Sequence, residues 1–167
     1  MSESAGLVAQ LADRLRALGW RLACAESCTG GMIAAACTDL AGSSDWFERG
    51  VVSYSNQAKV TLLGVPQALI DTHGAVSEAV VHAMAEGIVR GSGVDIGVAV
   101  TGIAGPAGGT PAKPVGTVWF GFALRHRDGT LQVDTQQRRF AGDRAEVRAA
   151  SVQHALQGLL QRAQSTP

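Results

Sequence analysis

Ile96-Gly97-Val98-Ala99-Val100, running directly into Thr101-Gly102-Ile103-Ala104-Gly105-Pro106, is the stretch that decides the fold. A short run that is apolar at nearly every position suits a strand covered on both faces, as in a parallel or mixed sheet clothed in helices. The glycine-rich continuation falls where such sheets place their binding loops. Working outward, Leu7, Val8, Leu11, Leu15 and Leu18 keep helical spacing, and Gly19 is a natural stop. Residues 20–25 read as a buried strand, 32–38 as an alanine-rich helix and 51–54 as a second strand. Short helices are expected over 56–63 and 67–72. A longer one reaches to about residue 90, with Ser77 as its N-cap and Glu78 at its positive end. Beyond the loop at 101–114, residues 115–124 and 130–140 flank Asp128-Gly129, a hairpin turn signal. Asp143 with Glu146 resembles a capping box for a last helix, whose Val152, Ala155, Leu156 and Leu159 form an apolar stripe. The expected architecture is a single domain, residues 1–167 with a core over about 5–162. It is a three-layer α/β/α sandwich with a mixed, mostly parallel sheet and a C-terminal β-hairpin plus helix.

Composition narrows the function. With 46% hydrophobic residues and a formal net charge of zero, the chain can build a core but carries no basic field to hold a phosphate backbone, so no nucleic-acid partner is expected. No apolar run reaches the roughly 18 residues of a membrane span. Met1-Ser2-Glu3-Ser4 lacks the basic flank of a secretory signal. A cytoplasmic protein with no membrane partner is the expectation. Cys24, Cys28 and Cys37 are odd in number, which suits small buried thiols in a reducing compartment. Neither HExxH nor an aspartate cluster occurs, so neither a metal nor a cofactor is expected.

Three loops carry candidate chemistry. Lysine is scarce, with only Lys59 and Lys113 against twelve arginines. A buried lysine can lose its proton and act as a base, which arginine does not do. A serine nucleophile needs such a base. Ser44 is therefore the preferred nucleophile, with Ser43 as competitor, Lys59 as base and Tyr54 as proton relay or orienting group. Backbone N–H groups near Ser44 would form an oxyanion hole. The plainer alternative has Ser43 capping a turn, Tyr54 packed on the sheet and Lys59 solvated. In Glu26-Ser27-Cys28-Thr29-Gly30-Gly31, the hydroxyls of Ser27 and Thr29 and the exposed backbone of Gly30 and Gly31 suit an anion at a helix start, or simply a capped turn. Thr101 and Gly102 open a loop able to wall a pocket. Arg144 could grip phosphate or carboxylate bidentately, or stand solvated beside a capping Asp143.

Together these segments resemble the CinA C-terminal domain family. The resemblance is carried by Ala25-Glu26-Ser27-Cys28-Thr29-Gly30-Gly31, Gly42-Ser43-Ser44, Gly50-Val51-Val52-Ser53-Tyr54-Ser55-Asn56, Ala58-Lys59, His73-Gly74-Ala75-Val76-Ser77-Glu78, Val100-Thr101-Gly102-Ile103-Ala104-Gly105-Pro106, Lys113-Pro114-Val115-Gly116-Thr117-Val118 and Gly142-Asp143-Arg144. It implies hydrolysis of the carboxamide of nicotinamide mononucleotide, NMN, to nicotinate mononucleotide and ammonia, in pyridine nucleotide recycling. It also implies a serine nucleophile with lysine and tyrosine partners, which on matching positions are Ser44, Lys59 and Tyr54. Thr101 and Arg144 match pocket positions. The pyrophosphatase-like domain that many members carry is not matched, so deamidation alone is expected. The small-molecule nucleotide is the expected partner, in a homo-oligomer of two or more copies. The alternative is a non-catalytic nucleotide-binding or regulatory module of the same fold.

Overall fold

One strand-by-strand contrast organises the fold. Along the central strands, large side chains point to one face and small ones to the other. Leu22, Cys24, Ile96, Val98, Val100, Phe120 and Phe122 join one buried cluster, while Ala23, Ala25, Ala99 and Ala123 join another. The sheet thus has a bulky face and a shallow face, each covered by its own helices, in a computed structural model that describes residues 2–167.

The elements follow in the order α1 (Glu3–Leu18), β1 (Leu22–Glu26), α2 (Met32–Thr38), β2 (Phe47–Val52), α3 (Asn56–Leu63), α4 (Gln67–His73), α5 (Glu78–Ser92), β3 (Ile96–Gly102), β4 (Thr117–Arg125), β5 (Leu131–Arg139) and α6 (Arg144–Gln164). The sheet order is β2-β1-β3-β4-β5. β1 pairs in parallel with both β2 and β3. β4 is antiparallel to β3 and to β5, so four of the five strands run the same way. This is the mixed, mostly parallel sheet expected, closed by the hairpin and the last helix.

α1, α2 and α6 cover the bulky face, where Val8, Leu11, Leu15, Ile33, Leu156 and Leu159 meet the strand residues. Phe122 packs so closely on α6 that a Cβ on Gly158 would lie 2.2 Å from its ring. α3, α4 and α5 cover the shallow face. There a Cβ on Gly121 would come within 2.7 Å of the Val81 carbonyl, so α5 sits nearly on the sheet backbone. Burial of this apolar surface, at about 25 cal/mol per Å², is the main force holding the layers together.

Element boundaries differ from expectation in one place that matters. β2 spans Phe47–Val52, starting earlier than residue 51 and leaving Tyr54 outside the strand. It is an edge strand whose first half carries Glu48 and Arg49, which in the sequence read as loop. Helix ends follow their caps: the Ser2, Ser55 and Ser77 hydroxyls accept from the third residue onward, and Asp143 and Glu146 form the reciprocal capping box.

Candidate active site

The parallel strands β1, β2 and β3 all end at one edge of the sheet, at Glu26, Val52 and Gly102, and the loops leaving them meet there. The first turn of α6 closes the group from the side. A cavity of about 200 Å³ opens at this edge, walled by Ser27, Cys28, Lys59, Thr101, Gly102 and Arg144, with Tyr54 and Asn56 at the same wall. A larger cleft of about 830 Å³ lies at the opposite edge, between Trp20, Arg125 and Pro167, but its lining pairs no nucleophile with a base.

Lys59 is the centre of the site. It lies one turn into α3, held by the Ser55 cap, and is 1% exposed. Its Nζ donates to the Ser53 carbonyl at 2.9 Å and the Tyr54 carbonyl at 3.1 Å, and stands 3.1 Å from Ser27 Oγ. Among the described residues no carboxylate pairs with it. Burial pushes its pKa down from the usual 10.5, with Cys28 acting the other way. A neutral amine keeps two N–H donors and one lone pair. Carbonyl oxygens only accept, so in the neutral form the two N–H groups would serve Ser53 and Tyr54 and leave the lone pair to the Ser27 hydroxyl, whereas the protonated amine donates to all three. Such an arrangement can serve a serine nucleophile and its base.

Ser27 follows β1 directly. Its N–H donates to Val100 of β3 and its carbonyl accepts from Gly30, which folds residues 27–30 into a tight turn. The backbone N–H groups of Cys28 and Thr29, which follow Ser27, donate to no other residue among the described residues. Behind the turn, Arg148 of α6 donates from Nε to the Cys28 carbonyl at 3.0 Å and from Nη2 to the Thr29 carbonyl at 3.5 Å. In front of α2, the fully buried Glu26 carboxylate accepts from the N–H groups of Ile33 at 2.9 Å and Ala34 at 3.1 Å. Cys28 also lines the cavity, but burial raises its thiol to about 11, so it stays protonated at neutral pH and is a poor competing nucleophile.

Several expected placements are corrected by this geometry. Ser44 does not meet Lys59. It sits exposed in the 3₁₀ turn Ser43–Asp45, before β2, whereas Lys59 comes after β2. The chain between them crosses the sheet, and Asp45 instead pairs with Arg16 at 3.5 Å. Ser43 shares that turn. The Tyr54 phenol does not bridge lysine and serine either: it is 60% exposed and bonded to Arg144 Nη2 at 3.2 Å, while its backbone carbonyl serves Lys59. Nor is the loop at Gly30 and Gly31 an open anion cradle. Glu26 already occupies the N–H groups of α2, a Cβ on Gly30 would meet Arg148 at 3.3 Å, and one on Gly31 would meet Val52 at 3.6 Å. The Thr29 hydroxyl is buried with no partner among the described residues, and Thr29 does not line the cavity. Ser27, Lys59, Tyr54, Thr101, Gly102 and Arg144 do come together. Thr101 donates its hydroxyl to Ala75 at 3.1 Å, and Arg144 also donates to Gly105 at 3.0 Å. Asn56, Glu26 and Arg148 were missed by sequence reasoning. Only Glu26 and Asn56 carried a signal, by adjoining Ser27 and Tyr54 in the quoted stretches.

Comparison with known proteins gives a consistent result. Residues 4–163 match the family model described as the CinA C-terminal domain. A nicotinamide-nucleotide amidohydrolase PncC from Enterobacter agglomerans is 53% identical, over 92% of each chain. The protein of the same name from Escherichia coli K12 is 48% identical over 96% of this chain and 94% of its own length. Among solved structures, the competence damage-inducible protein A from Klebsiella pneumoniae superposes with a TM-score of 0.92 at 42% identity, covering 99% of this chain and 100% of that one.

Proposed function

Because this chain belongs to the CinA C-terminal domain family, we propose that it hydrolyses the carboxamide of nicotinamide mononucleotide, with Ser27 as nucleophile and Lys59 as base. The support is twofold. Two relatives at 53% and 48% identity bear the name nicotinamide-nucleotide amidohydrolase. The observation that carries the chemistry is the buried Lys59 Nζ, 3.1 Å from Ser27 Oγ, with both of its other bonds directed at carbonyls.

In the reaction, Lys59 takes the Ser27 proton as Oγ bonds to the amide carbon. The carbonyl oxygen becomes an oxyanion, received by the free N–H groups of Cys28 and Thr29. Protonated Lys59 returns its proton to the amide nitrogen, the C–N bond breaks, and ammonia leaves. The nicotinoyl ester on Ser27 is then attacked by water, whose proton passes to Lys59 and on to Ser27 as the ester C–O bond breaks. Nicotinate mononucleotide departs. General acid–base transfer of this kind contributes about 10²–10⁴-fold. Arg144 holds the nucleotide phosphate. It stands at the mouth, is oriented by Tyr54 and Gly105, and forms no ion pair with a carboxylate among the described residues. Burial disfavours the charged form of Lys59, which lessens its repulsion of the pyridinium charge of the substrate.

Ammonia release from NMN by the purified protein tests this. Ser27→Ala is expected to abolish turnover while nucleotide binding survives, and Ser44→Ala to leave turnover intact. Lost turnover in Ser44→Ala with activity kept in Ser27→Ala would reverse the assignment.

A further inference from the structure

Arg148 lies one turn beyond Arg144 on α6, on the same side of the helix. Arg144 reaches the cavity mouth, while Arg148 turns behind the nucleophile loop. It belongs to none of the ion pairs among the described residues. Its guanidinium is directed instead at two backbone carbonyls, those of Cys28 and Thr29. Gly30 makes room for it, at φ 56° and with no side chain to push on Nη2.

A trans peptide carries its C=O and N–H on opposite sides of one plane. Holding the Cys28 carbonyl toward Arg148 therefore turns the Thr29 N–H away from it. The Thr29 carbonyl belongs to the same peptide as the Gly30 N–H, which donates to Ser27; the Ser27 carbonyl in turn shares its peptide with the Cys28 N–H. The guanidinium thus grips the head of a short chain of peptide dipoles that ends in the N–H groups of Cys28 and Thr29, the two residues that follow Ser27. A cation on the carbonyl side also polarises these peptides, making their N–H groups stronger donors.

We propose that Arg148 is the positioning residue of the oxyanion hole, aligning and polarising the Cys28 and Thr29 N–H groups through their peptide carbonyls without touching substrate. This rests on the acyl-transfer reaction above with Ser27 as nucleophile.

The test compares wild type, Arg148→Met and Arg148→Lys in three measurements: steady-state ammonia release from NMN, binding of the product nicotinate mononucleotide, and inhibition by the mononucleotide of pyridine-3-carboxaldehyde. Ser27 Oγ adds to that aldehyde and its oxygen enters the hole as a hemiacetal. Loss of oxyanion donors predicts that Arg148→Met lowers kcat about 10²-fold and weakens the aldehyde by a similar factor, with KM and product affinity little changed. Arg148→Lys keeps charge but loses the fork, so it recovers part of the kcat. Unchanged kcat in Arg148→Met, equal loss of product and aldehyde affinity, or a lysine variant no better than methionine would overturn the proposal. Should Arg148→Met fail to fold, Arg148→Lys decides: reduced kcat at unchanged KM supports it, unchanged kcat overturns it. A wild type that releases no ammonia overturns the reaction and the proposal together, whereas an active wild type with unaffected variants overturns the role of Arg148 alone.

Discussion

Lys59 holds its amine where charge is disfavoured: buried, facing two carbonyls and a hydroxyl, with no carboxylate ion pair among the described residues. Since burial lowers its pKa below 10.5, the neutral fraction grows as pH rises, and kcat/KM for deamidation is predicted to rise with pH along a limb whose midpoint lies below 10.5. A flat profile across that range would remove lysine from the base role. Lys59→Arg is predicted to lose at least about 10²-fold in kcat, because guanidinium stays protonated and is forked where a single lone pair is needed. The ammonia assay reads this directly, and a variant turning over at the wild-type rate would refute it. At this scale the sequence was informative about type but not about partner. The scarcity of lysine singles out Lys59, yet chain proximity points to the serines of the nearer stretch. Ser43 and Ser44 are closer to Lys59 in the chain than Ser27, but hydrogen bonding follows space, and β2 carries the two ends of that stretch apart.

At the scale of elements, α2 is seven residues long and has Gly31 at its N-cap, which offers no side-chain cap. Its orphan N–H groups are served by Glu26, at the last position of β1. A carboxylate at a helix N-terminus is favoured by the helix dipole as well as by these bonds, which is how it is accommodated with no exposure to water. Glu26→Gln would turn one acceptor into an NH₂ group facing backbone donors. A cost of about 1–3 kcal/mol is predicted, read as a lower urea midpoint; an unchanged midpoint would show that α2 does not depend on the carboxylate. On α6, Gly158→Ala would press a methyl into the Phe122 ring, which also carries the Arg162 guanidinium at 3.9 Å. Overpacking of this kind costs about 1–3 kcal/mol. Thermal unfolding should show a lower Tm with kcat of the folded enzyme retained, and an unshifted Tm would mean that the ring moves aside freely. Helix caps were legible because Ser77, Asp143 and Glu146 act within one turn of themselves. The Glu26 cap was not, since its donors come from the next element and the intervening turn sets whether they meet.

Across the whole molecule, the site joins the end of β1, the start of α3, the end of β3 and the first turn of α6. Arg144 is the most distant contributor in the chain. With the phosphate as its partner, Arg144→Met is predicted to raise KM for NMN about 10–100-fold while lowering kcat less, since a charge-assisted bond made before and during the reaction contributes uniform binding. Nicotinamide riboside, which lacks the phosphate, should be insensitive to the same change. Equal KM values for NMN in wild type and variant would place the phosphate elsewhere. The layered fold itself was determined by the sequence. Alternating strands and helices, the apolar run at Ile96 and the hairpin at Asp128-Gly129 depend on local periodicity and turn chemistry, which act over a few residues. The candidate catalytic amine was singled out the same way, through residue type. Which serine stands beside it, which carboxylate caps α2 and which arginine bonds the Cys28 and Thr29 carbonyls were decided only by the tertiary structure. In a parallel βαβ unit the helix carries the chain back to the starting edge, so the turn at Ser44 lies across the sheet from the loops that follow β1 and β2. The physical cause is the direction of the strands, fixed by how the layers pack rather than by any residue in the turn.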